Sequence, residues 1–114
     1  MRTVRPTEAA AYDPDRVVAV GVLTATHSNV RMIRLSPGQA LPPHTHGDSD
    51  LFLYAVEGAG ELDTPDGLVP FVAGDLAQYR GDEELRIANN STVGLTLLAF
   101  LAPIFPPMPS PGTP

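Results

Sequence analysis

Two of the three histidines in this chain, His44 and His46, stand two positions apart in Pro42-Pro43-His44-Thr45-His46. On a β-strand, side chains at i and i+2 project from the same face, so both imidazoles aim into one small volume. Such a pair is half of a metal site, or a pair of groups able to hydrogen-bond and transfer protons. The two prolines ahead of it fix φ and stiffen the approach. The sequence has no cysteine, so any metal here has only imidazole and oxygen ligands. Asp48 and Asp50, two and four residues past His46, are the nearest carboxylates. His27, in Thr24-Ala25-Thr26-His27-Ser28-Asn29, falls at an expected strand end, either as a surface residue beside a turn or as a group at a pocket mouth.

The elements that must position these groups read as strands. Ten glycines and thirteen prolines fall between short apolar stretches, the punctuation of an all-β chain with many tight turns. Strands are expected over residues 17–26, 30–35, 40–46, 51–57, 60–63, 68–72, 75–79, 84–88 and 92–102. Thr64-Pro65-Asp66-Gly67 supplies the fixed φ and then the positive φ of a hairpin reversal. Only Thr7 to Tyr12 carries helix signals, with Thr7 as N-cap, and Pro14 stops it. The expectation is a sandwich or a small closed barrel whose interior can hold one ligand.

Its 114 residues suit one domain, divided into an N-terminal segment with the first strands at 1–29, a barrel at 30–102 and a proline-rich tail at 103–114. Six prolines and no charge in the tail predict an extended, polyproline-like conformation. It is either a frayed terminus or a segment whose Ile104, Phe105 and Met108 pack on a partner subunit or over a pocket mouth. Seven basic against thirteen acidic residues, with no basic cluster, argue against a nucleic-acid partner. Absence of an apolar leader or membrane-length apolar run leads to the expectation of a cytoplasmic protein without a membrane partner.

Pro37-Gly38, five residues, His44-Thr45-His46, and then Leu51-Phe52-Leu53-Tyr54-Ala55-Val56-Glu57-Gly58 resemble the first signature of the cupins. Gly74-Asp75 opens a stretch similar to the second signature, and Asn89 falls at its closing asparagine. The resemblance spans residues 30–102. It implies a small antiparallel β-barrel of the double-stranded β-helix, jelly-roll-like type, usually dimeric, with a metal held by two histidines and a glutamate of the first signature and a histidine of the second. The family's chemistry runs from dioxygenases, isomerases, decarboxylases and cyclases to sugar-binding and sensory modules, so membership names no reaction.

This chain departs from that pattern. Counting back from Gly58, the glutamate position is Leu51; counting on from Gly74-Asp75, the third histidine position is Leu85. The usual proline and glycine before that histidine are Arg80 and Asp82. Two arrangements follow. In one, the ligands from protein are His44 and His46 alone, and alternation lines the barrel face with Leu51, Leu53, Ala55, Leu85 and Ile87, giving an apolar pocket with two imidazoles at one end. In the other, the loop pairs one residue differently and Asp50 joins His44 and His46 in a 2-His-1-carboxylate set, at the cost of turning the leucine pattern outward.

The expected activity is that of a cupin-type enzyme acting on a largely apolar small organic molecule in the barrel pocket. His44 and His46 are its catalytic candidates, either as a partial site for a divalent metal (Fe, Mn, Ni, Zn or Cu) that polarises a substrate oxygen or activates water or dioxygen, or without metal as general base. Leu51, Leu53, Leu85, Ile87 and Tyr79 are the expected pocket residues, and Tyr79 and Arg80 the nearest candidates for a second polar group. The alternative is a non-catalytic cupin that binds or senses a small ligand, with a degenerate metal site. A second copy of the chain, in a homodimer, is the expected macromolecular partner.

Overall fold

The stretch from Asp50 to Ala55 alternates polar or aromatic with small aliphatic residues, and the alternation sets which side faces the core: Leu51, Leu53 and Ala55 are buried, while Asp50, Phe52 and Tyr54 are exposed. The computed structural model describes residues 1–105. Its strands are β1 Val18–Thr24, β2 Asn29–Leu35, β3 Asp50–Glu57, β4 Ala59–Thr64, β5 Gly67–Val72, β6 Leu76–Tyr79, β7 Ile87–Ala88 and β8 Leu95–Ala102. All pairings between them are antiparallel. One sheet has the order β1-β2-β8-β3-β6 and the other β5-β4-β7. The core lies between them, built from Leu35, Leu53, Leu95 and Leu97 of the first sheet and Leu62, Phe71 and Ile87 of the second. This is the small antiparallel barrel expected from the sequence.

Three expected elements differ. Residues 40–46 form no regular strand, because Pro42 and Pro43 have no N–H to give to a ladder. The segment nevertheless runs antiparallel beside residues 81–89, with isolated bridges Ala40 to Ala88 and His44 to Leu85. Its bonds run from Leu41 N–H to Ile87 O (3.0 Å), Leu85 N–H to His44 O (2.9 Å) and His46 N–H to Gly81 O (2.8 Å). The strand expected at 84–88 is correspondingly short, Ile87–Ala88. In place of a helix at 7–12 there is a single 3-10 turn, Pro6–Glu8. No helix among the described residues is long and apolar enough to cross a membrane.

Two buried asparagines lock the ends of this frame. Asn89 donates from Nδ2 to Leu35 O (2.9 Å) and Val93 O (2.8 Å), and its Oδ1 accepts from Ser91 N–H (2.9 Å). Asn29 donates to Phe105 O and accepts from Phe105 N–H, both at 3.1 Å, tying the end of the described chain to β2. Since a buried amide must find partners for its donors and acceptor, each asparagine specifies one loop path.

Candidate functional site

The pairing of 40–46 with 81–89 carries both histidines to one end of the barrel. Their ring centroids lie 4.6 Å apart with planes at 61°. His44 is half-buried, and its Nδ1 lies 2.8 Å from Pro42 O; because a carbonyl only accepts, Nδ1 carries a hydrogen, which in a neutral ring puts the lone pair on Nε2. His46 is only 3% exposed. Its ring meets Phe105 edge to face at 5.1 Å, and its Nδ1 is buried without a hydrogen-bond partner among the described residues. Desolvation, followed by the neighbouring His44 and the charge of Arg31, pushes the His46 pKa down to about 4. His46 is therefore a neutral imidazole at physiological pH.

The two rings border a cavity of about 210 Å³. Leu51 from β3 and Leu85 from the 81–89 segment form part of its wall, together with Ile33, Leu41, Ala99 and Leu101. Leu51 and Leu85 are fully buried, at 0% and 1% exposure, beside the histidines. Arg31 of β2 also lines the cavity. The sequence reading missed it. Its signal was its phase, two and four residues before Ile33 and Leu35, but Met32 and Arg34 are buried too, so β2 shows no clean alternation.

The remaining candidates sit elsewhere. Leu53 and Ile87 are buried in the barrel core and do not line this cavity. Tyr79, paired opposite Leu51, borders a separate hollow of about 490 Å³ with Asp63, Glu83 and Arg86. Arg80 is exposed and paired with Asp82 and Glu83. Asp50 lies on the outer face of β3, opposite Ala102, in a groove with Phe52 and Phe100. Asp48 is exposed in the turn after His46, and His27 is exposed between β1 and β2. Ile104 is half-buried, Phe105 lies against His46 at the cavity, and Met108 is outside the described residues.

The donor set does not fit the divalent ion of the fold family. No group of three or more His, Asp or Glu side chains placed to hold a metal occurs among the described residues. Leu51 and Leu85, which line the cavity beside the histidines, carry no donor atom, and Arg31 places a like charge at the same cavity.

A family model described as the cupin domain matches residues 31–101. No curated protein matches the chain. Solved structures share the fold. The TT1209 protein of Thermus thermophilus superposes with a TM-score of 0.82 at 25% identity, covering 91% of this chain and 99% of that one. A cupin protein described as RmlC-like, from Desulfovibrio desulfuricans, gives 0.79 at 23% identity, covering 91% and 98%. A predicted oxalate decarboxylase of Thermotoga maritima gives 0.68 at 23% identity, covering 75% and 79%.

Two expectations follow from this geometry. An imidazole that titrates near 4 when folded and near 6.5 when unfolded takes its proton first in the unfolded chain. His46 therefore leaves stability unchanged above about pH 6.5 and lowers it as pH falls from about 6.5 to about 4, by about 1.4 kcal/mol per pH unit and roughly 3 kcal/mol at most. Denaturant unfolding at pH 7 and pH 4.5 should show that loss in the wild type and most of it abolished in His46→Gln; equal losses contradict the burial of His46. The second concerns the leucines. Leu51→Glu with Leu85→His should gain one equivalent of tightly held Zn, Ni or Mn by elemental analysis, whereas the wild type holds none. A double variant that stays metal-free would mean that positions 51 and 85 do not converge on the histidines.

Proposed function

Because this chain belongs to the cupin family, whose barrel hosts many chemistries, we propose that it binds a small, largely apolar organic molecule in the cavity beside His44 and His46. The observation that carries this reading is the aliphatic wall, with Leu51 and Leu85 buried beside the histidines, at the positions where the sequence resemblance expects the family's other ligands. Pockets for drug-sized ligands run from about 300 Å³ upward, and an apolar cavity of about 150 Å³ holds benzene. A volume of about 210 Å³ therefore suits a substituted ring or a short branched chain. Few polar groups at an otherwise apolar wall is the usual design of such sites.

The two histidines supply polar handles rather than a metal. A base with a pKa of about 4 lies far below neutral pH and accepts a proton poorly in a transition state, so His46 acts as a neutral hydrogen-bonding ring. A catalytic reading is favoured by His44. Its ring is oriented by the Pro42 carbonyl, leaving Nε2 as a lone-pair acceptor, the arrangement of an imidazole poised as general base. A homodimer belongs to the same proposal: Phe52, Tyr54, Leu76 and Phe100 are exposed on the outer face of β3, β6 and β8, an apolar surface suited to a second copy.

Titration of ¹⁵N-labelled protein with benzamide, benzyl alcohol and benzoate tests the cavity. At least one should bind saturably and shift the amides of Leu51, Leu85 and Ala99, and Ala99→Leu, which fills the cavity, should weaken it at least tenfold. If no benzene derivative perturbs these residues, the reading fails. For the dimer, sedimentation velocity should give a two-chain species that Phe100→Glu converts to monomer; a wild-type monomer at high micromolar concentration would refute it.

A further inference from the structure

We propose that Phe105 is the specificity-determining residue of the histidine-end cavity: its phenyl ring, held at the wall by tethers outside the cavity, limits the ligand to a single ring. This inference rests on the small-molecule reading above and deepens it from a chemical class to a size limit. Phe105 lines the cavity and packs against the barrel core while remaining half-buried. It lies beyond the end of β8, so no strand ladder fixes its place.

Two buried polar side chains do so instead. Asn29 grips the Phe105 backbone at both its N–H and its carbonyl, and Ser49, just ahead of β3, donates from Oγ to Pro103 O at 2.7 Å. Neither side chain lines the cavity. A buried amide or hydroxyl deprived of its partner is destabilising, so both pairings resist departure of the 103–105 backbone from the barrel. The ring delivered in this way meets His46 edge to face, an arrangement that aromatic pairs favour. His46 is thus flanked by the rings of His44 and Phe105.

Phe105 is also the largest apolar residue of the described wall, and it differs in kind from the others. Ile33, Leu51, Leu85 and Leu101 belong to the buried core, so trimming one of them opens the core together with the cavity. Phe105 packs on that core from outside. A volume of about 210 Å³ holds one substituted ring, and a fused second ring needs more. The Phe105 phenyl is itself the size of benzene and borders the cavity directly. Removing it vacates space for about one more ring, continuous with the first.

Benzamide, benzyl alcohol and benzoate each have a two-ring counterpart with the same polar group: 2-naphthamide, 2-naphthalenemethanol and 2-naphthoate. By calorimetry or NMR titration, the wild type should bind a benzene probe at least tenfold more tightly than its naphthalene counterpart, although the larger ring is the more hydrophobic. Phe105→Ala should reverse that order and tighten the naphthalene probe at least tenfold, with Phe105→Leu intermediate. A wild type that binds naphthalene probes as tightly as benzene probes, or more tightly, overturns the size limit and leaves the small-molecule reading standing. If no probe of either size binds at the cavity, both fall. A benzene preference that persists unchanged in Phe105→Ala overturns the role of Phe105. Should Phe105→Ala fail to fold, Phe105→Leu decides: a weakened benzene preference supports the role, and an unchanged one overturns it.

Discussion

The backbone hydrogen bonds between residues 38–46 and 81–89 are the constraint on which the site depends. Two prolines prevent a continuous ladder, yet Gly38, Leu41, His44 and His46 each donate to this partner segment. These bonds join a stretch that lies between β2 and β3 in sequence to the edge of the smaller sheet, set His44 opposite Leu85 and bring both imidazoles against the barrel end. Contact is close enough that a Cβ on Gly81 would collide with the Gly47 carbonyl, so the turn after His46 and the loop before Leu85 pack backbone to backbone. Asn89 then holds the far end of the same pairing through Leu35 and Val93.

Leucine at positions 51 and 85 changes what that geometry can do. With ligands there, the barrel end would be polar and charged; with leucines, it is desolvated. Desolvation is the largest cause of the low pKa of His46, and the neighbouring His44 and Arg31 add to it. The same aliphatic wall that makes a divalent ion a poor fit gives an apolar molecule a surface to cover. Pocket chemistry thus follows from leucine at positions 51 and 85 beside the two imidazoles.

Much of this was legible in the sequence. Alternation in β3 turned Leu51 inward and therefore Asp50 outward, and a slip of one residue would have exposed every inward leucine of that strand. The spacing of His44 and His46 foretold neighbouring rings, although the segment holding them is not a regular strand and buries them unequally. Other features depend on tertiary packing. Tyr79 shares the inward phase of Leu51 but lies on an edge strand whose open side borders a different hollow. Arg31 was obscured because both faces of β2 are covered, the outer one by the N-terminal segment, where Arg34 bonds Thr7 O at 3.0 Å and lies over the Tyr12 ring. Phe105 is held at the site by Asn29 on its backbone and by Ser49 Oγ–H on Pro103 O, contacts between residues far apart in sequence.

The central claim is that an apolar cavity at the histidine end of the barrel takes a small, largely apolar organic molecule. A crystal structure of the wild-type protein grown with benzyl alcohol tests it most directly. The account predicts density for one ring against Leu51 and Leu85 and no metal between His44 and His46. A cavity filled with ordered water alone, or a metal bound by the two imidazoles, would contradict it.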